Sequence, residues 1–188
     1  SDKVVLGNAQ NDFTYIEQVK QDKTTTANKA IVAELGAVAS TEDLMLVTTY
    51  SSAWNATGGA VLKSKAWQIE LDNDTTRMKS DKVVLGNAQN DFTYIEQKKV
   101  DSSTVYRGTT TIREELDGDG SSTEDIIEVY TYDKAFNDPG HAASLQSHAW
   151  QLDLYGDGSE TRIKSVEIDG AGREILGSEN YSRQKRLT

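Results

Sequence analysis

The chain has 188 residues, with 30 acidic against 20 basic side chains, a formal net charge of −10 and no cysteine. That balance argues against nucleic acid and anionic membrane surfaces as partners and fits cation binding. The missing thiols exclude disulfide and thiol chemistry, and no apolar run approaches the length of a bilayer span. The chain opens in mid-repeat with no signal peptide, so a mature or excised piece is expected.

The first 18 residues, SDKVVLGNAQNDFTYIEQ, recur letter for letter at 80–97. The likeness continues beyond this run. STEDLMLVTTY (40–50) aligns with STEDIIEVYTY (122–132), KAWQIEL (65–71) with HAWQLDL (148–154), and TRMKS (76–80) with TRIKS (161–165). Self-similarity of this kind marks an array of one supersecondary or domain unit. The expected fold is all-β: two tandem antiparallel β-sandwich or β-meander units related by internal duplication. The units are residues 1–98, with an extra joining hairpin at 1–18, and residues 99–188.

In chain order, the joining segment 80–97 reads as a strand at 82–85, a turn at 86–91 and a strand at 92–97, and copy 1–18 reads likewise. TTANKAIVAELGAVAS (25–40) has helical spacing, but its counterpart TTTIREELDGDGSS (109–122) reads as strand and turn. Homologous positions share a fold, so 29–35 is assigned as a strand. In KAWQIEL, Trp67, Ile69 and Leu71 share one face, as Trp150, Leu152 and Leu154 do in HAWQLDL, so both tryptophans are read as core. The second unit reads as strands near 104–116, 123–134, 146–155, 160–168 and 173–183, separated by DGDGSS, NDPG, GDGS and DGAG turns. The end at 165–188 is a diverged copy of the joining segment.

Two acidic loops carry the only pronounced chemical signal. In the first, Asp117, Asp119, Ser121, Asp125 and Glu128 fall at positions one, three, five, nine and twelve of a Ca²⁺ loop, with glycines that permit a tight wrap of hard oxygens. The match to an EF-hand stops there, because Ser122 holds the turn-glycine position, Glu124 the apolar one, and the flanks alternate like strands. The expectation is a Ca²⁺-type loop joining two strands, against a plain acidic turn. Asp153 and Asp157 frame a second, shorter loop that reads as a Gly-Asp-Gly hairpin or a second Ca²⁺ site. The first unit has GAVA (36–39) where the second has DGDG, so any such metal is structural and dispensable in one copy.

Signals for catalysis are poor: no nucleophile elbow, zinc-protease helix or Walker loop occurs, and the chain is read as no enzyme. His141 and His148 read as ordinary surface or strand residues, with His148 aligned to Lys65. Trp54 is the candidate exposed aromatic, and Asn55 opens an N-glycosylation pattern.

The D-x-D-G turns resemble the acidic repeats of large secreted bacterial proteins, including surface adhesins and biofilm-matrix proteins with Ca²⁺-dependent tandem domains. SVEIDGAGREILG (165–177) also resembles part of the tyrosine–aspartate repeats of bacterial toxin shells. Asp169, Gly172 and Arg173 match that pattern, and Ile168 stands where the tyrosine belongs. These resemblances imply a structural or adhesive segment of an extracellular or cell-surface protein, rigidified by Ca²⁺. A Ca²⁺-dependent carbohydrate-binding module, with glycans as partners, and an ancillary domain of a secreted hydrolase are the alternatives. Copy 1–18 is also expected to offer an open strand edge to the 165–188 end of another copy, giving head-to-tail filaments.

Overall fold

A computed structural model describes residues 2–5, 8–13, 15–51, 59–72, 74–100, 110–118 and 122–185. The described chain is all-β with few helices. Its strands are β1 (Asp2–Val5), β2 (Asn8–Phe13), β3 (Tyr15–Gln21), β4 (Leu44–Tyr50), β5 (Leu62–Glu70), β6 (Thr75–Val84), β7 (Asn87–Val100), β8 (Ile126–Tyr132), β9 (Leu145–Asp153), β10 (Glu160–Val166) and β11 (Asn180–Lys185). Helix α1 covers Thr26–Glu34 and α2 covers Ile112–Asp117. β1 and β2 form a two-stranded sheet; the other nine form one antiparallel sheet in the order β11-β10-β9-β8-β7-β6-β5-β4-β3. Each of these strands neighbours the next in the chain, as in a meander.

The chain divides into two compact units. One comprises Ser1–Asp72, Thr76–Ile95 and Lys134–Asp138; the other comprises Asn73–Thr75, Glu96–Asp133 and Pro139–Thr188. In the first, β4 pairs with β5 so that Leu46 faces Trp67, and β5 with β6 so that Trp67 faces Lys79. In the second, β8 and β9 set Glu128 opposite Trp150, and β9 and β10 set Trp150 opposite Lys164. Paired residues share a sheet face, and this face carries the helix and the core of each unit. Val32 of α1 and Leu35 just after it pack on Leu44 and Ile69, while Ile112 and Leu116 of α2 pack on Ile126, Trp150 and Leu152.

The strand expected at 29–35 is a helix. Thr25 caps it, its hydroxyl accepting from the Asn28 amide at 3.3 Å. At the other end the Gly36 amide bonds the Ala33 carbonyl and the Ala37 amide the Val32 carbonyl, a Schellman stop with Gly36 at φ +62°. The described part of the strand expected at 104–116 is also helical. Thr111 and Glu114 close a reciprocal capping box, the Thr111 hydroxyl accepting from the Glu114 amide at 3.1 Å and the Glu114 carboxylate from the Thr111 amide at 2.8 Å. Asp117 is therefore the last residue of a helix, and the loop after it joins helix to strand rather than strand to strand. The turn in the joining segment is confined to Leu85 and Gly86, both at positive φ, so β7 starts at Asn87 rather than at 92. The strand expected at 173–183 begins only at Asn180, preceded by an isolated bridge between Ile168 and Glu174.

Trp150 is 3% exposed and central to the second core, with Trp67 partly buried at the matching place in the first. Replacing Trp150 with Ala is expected to lower the unfolding free energy by about 3–5 kcal/mol through lost burial and a cavity. Urea denaturation followed by far-UV circular dichroism measures this loss.

Candidate functional site

The helix-facing side of each unit holds an ion pair where hydrophobic residues would be ordinary. Lys79 on β6 is 6% exposed and pairs with Glu34 of α1; Lys164 on β10 is 1% exposed and pairs with Glu115 of α2. A tyrosine hydroxyl completes each group, Tyr94 donating to Glu34 at 2.9 Å and Tyr181 to Glu115 at 3.2 Å. Burial and the adjoining carboxylate push both phenols above their ordinary value, so they remain donors. Aromatic faces line the ammonium groups: Lys79 lies 3.8 Å from the Phe92 ring centre, and Lys164 lies 5.8 Å from that of Trp150.

Two residues before each lysine, on the same side of its strand, an arginine reaches the end of the helix. Arg77 donates to the Leu35 carbonyl at 3.1 Å, and Arg162 donates to the Leu116 and Asp117 carbonyls at 2.9 and 3.0 Å. These carbonyls are among the acceptors that a helix C-terminus leaves open, and a cation there also complements the helix dipole. Arg-x-Lys on one strand thus fixes one helix twice: at its carbonyl end and through its glutamate. The sequence shows this pattern as the repeated T-R-x-K-S. Its signal is two cations at alternate positions of an otherwise core-facing strand.

The second unit adds a histidine cluster. His148 is 3% exposed, with Nε2 at 2.9 Å from the Glu128 carboxylate and Nδ1 at 2.5 Å from that of Glu174. Each ring nitrogen therefore meets a carboxylate oxygen. It also packs against Tyr130 and Trp150, with ring centres 4.1 and 3.9 Å away. Burial, the largest influence on Glu128, pushes its carboxyl up. Hydrogen bonds from His148 and Tyr130 outweigh this and leave it below its ordinary value. His148 is a strand residue, as expected, but a buried and doubly bonded one that holds the 167–178 loop through Glu174.

The acidic residues singled out in the sequence separate. Asp125 pairs with Lys99 at 3.0 Å, and Glu128 belongs to the histidine cluster. Asp119 and Ser121 lie outside the described residues, as do Trp54 and Asn55. The Asp117 carboxylate accepts from the Ser122 amide at 2.6 Å. In the 153–160 turn, Asp153 accepts from the Gly158 amide at 2.7 Å and Asp157 from the Ser159 amide at 2.8 Å. The two loops adjoin each other. The Ser122 hydroxyl donates to the Leu154 carbonyl at 3.3 Å, and a Cβ on Gly156 would stand 2.6 Å from the Glu124 carboxylate carbon. The other Asp153 oxygen, Oδ1, is buried with no hydrogen-bond partner among the described residues. Among those residues no three His, Asp or Glu side chains form a ready metal cage. Comparison with protein families, curated proteins and solved structures returns no match.

Lys164→Met leaves the half-buried Glu115 carboxylate without its ammonium partner and is expected to cost about 3 kcal/mol; pairing it with Glu115→Leu should recover most of that loss. Chemical denaturation of the two variants compares them. The depressed Glu128 carboxyl stabilises the fold above the ordinary glutamate range, and this contribution is lost as pH falls through its folded-state value. Melting temperature should therefore drop on acidification below about pH 4.5, with a shallower slope in Glu128→Gln.

Proposed function

We propose that this chain is a structural or adhesive repeat segment of a large extracellular bacterial protein, built of two duplicated β units and joined to further copies head to tail. The observation that carries this reading is the doubled anchor: Arg77, Lys79, Glu34 and Tyr94 in one unit recur in role as Arg162, Lys164, Glu115 and Tyr181 in the other. What has been kept through duplication is a device for holding a helix on a sheet, and its charged groups are engaged with one another. A scaffold needs that arrangement; a catalyst needs such groups turned toward a substrate.

The strand arrangement supports the array. β3, β7 and β11 all carry Tyr-x-x-Gln, at Tyr15 and Gln18, Tyr94 and Gln97, and Tyr181 and Gln184. β7 has a neighbour on each side, whereas β3 and β11 stand at the two ends of the strand order. Each end strand is a junction strand with one side taken, and an adjoining repeat would supply the other.

Ca²⁺ belongs to this reading at the adjoining loops of the second unit. Asp117, Asp153 and Asp157 would contribute carboxylate oxygens, beginning with the orphaned Asp153 Oδ1, whose burial without a partner is costly unless a cation offsets it. Metal bound only by the folded state adds about 2.7 kcal/mol at a hundredfold excess over its dissociation constant. Thermal melts with Ca²⁺ and with chelator are therefore expected to differ in the parent chain and to coincide in Asp153→Ala. Identical melts in the parent chain would remove Ca²⁺ from the proposal.

A further inference from the structure

The helix-facing side of β10 and β11 gathers cations. In the antiparallel register Glu160 faces Lys185, Arg162 faces Arg183 and Lys164 faces Tyr181. With Glu115 reaching in from α2, Arg162, Lys164, Arg183 and Lys185 stand against two carboxylates, in a chain whose net charge is −10. Two arginines directly opposite each other across a strand pair repel unless an anion lies between them.

Both carboxylates are already engaged. Glu115 meets Lys164 and Tyr181. Glu160, 3% exposed, accepts from the Arg162 Nε at 3.0 Å and stands 3.2 Å from the Arg183 Nε, with the Lys185 ammonium at 3.9 Å. The Arg162 Nη1 is occupied by the Leu116 and Asp117 carbonyls. The Arg162 Nη2 and both terminal nitrogens of Arg183 make no hydrogen bond among the described residues. A guanidinium carries five N–H donors, so several remain open. The same two arginines line a cavity of about 360 Å³, with Glu115 and Leu116 on the helix side and Tyr181 and Ser182 beside them.

Seating the helix does not require this arrangement. By alignment of T-R-x-K-S and Tyr-x-x-Gln, the first unit has Thr75 in place of Glu160 and Glu96 in place of Arg183, yet its helix is held by the same anchor. The opposed arginines are therefore an addition peculiar to the second unit.

We propose that this cavity binds an oxyanion, a phosphate or sulfate group, on the guanidinium groups of Arg162 and Arg183. The planar fork of arginine matches two oxygens of such a group, and a tetrahedral anion has enough oxygens to engage two forks together. The volume exceeds that of a bare ion and falls at the lower end of small-molecule pockets, which favours an ester over the free anion. Tyr181, 57% exposed, and Leu116 supply an apolar wall for the body of the ester, such as a sugar ring. The proposal goes beyond the extracellular repeat reading and does not depend on it.

Isothermal titration calorimetry at neutral pH and constant ionic strength tests it, with glucose 6-phosphate, inorganic phosphate and glucose added in turn to the parent chain and to Arg183→Gln. The expected result is saturable binding of glucose 6-phosphate with a dissociation constant of about 0.1–1 mM, weakened about tenfold or more in the variant, and no binding of glucose. Inorganic phosphate bound as tightly as the ester supports the oxyanion site and makes the free anion its occupant. Arg183 is exposed on an end strand, so the fold should survive, as far-UV circular dichroism checks. Should β11 detach, Arg183→Lys takes its place: it keeps a charge beside Glu160 but loses the fork, and the same weakening is expected. A parent chain that binds neither phosphate overturns the proposal. Unchanged affinity in a folded Arg183 variant also overturns it, since the attraction would then come from elsewhere on the chain.

Discussion

An amine taken out of water has to meet an anion, and the fold is organised around that requirement twice. Lys79 and Lys164 cannot be buried unless Glu34 and Glu115 arrive at the same place, and those glutamates arrive only if a helix lies across the strand at one position. Hydrophobic packing alone would tolerate some sliding of α1 over Leu44 and Ile69, because apolar contact has little direction. The ion pair, the tyrosine hydroxyl and the arginine on the terminal carbonyls do have direction, so each unit's helix has one seat. This specificity is obtained at the expense of some stability that an all-apolar core would offer.

The period-two pattern found β8, β9 and β10 closely: β9 alternates buried and half-exposed residues from His148 to Asp153, although β8 buries only Ile126 and β10 only Glu160, Lys164 and Val166. It missed the helices through an argument sound in form and wrong in sign. The described parts of the matched segments do share a conformation, but it is the helix of α1 and α2. The caps at Thr25 and Thr111 were legible as threonines ahead of helix-forming stretches, and Glu114 lies three residues after Thr111 as a capping box requires. Short length and the glycines that follow α2 hid the signal. T-R-x-K-S was noticed as a repeat, but its role needs the third dimension: in sequence a buried lysine and a solvated one look alike, and Glu34 lies 45 residues from Lys79.

The acidic composition has a similar explanation. Several of the cations are directed inward or onto helix carbonyls: Lys79, Lys164, Arg77, Arg162 and also Arg113, which donates to the Glu124 carbonyl at 2.6 Å. Carboxylates collect instead in loops such as 117–125 and 153–160. Reading such loops as metal sites from spacing alone treats every acid as available. Asp125 and Glu128 are each engaged with a basic side chain, whereas Asp153 keeps an oxygen that nothing described satisfies.

β7 is the longest strand, at 14 residues, and its first part belongs to one compact unit while its last part belongs to the other. A unit boundary drawn within it is a boundary in composition and not in hydrogen bonding. Separating the halves there would divide a single continuous strand and leave each piece with a truncated ladder.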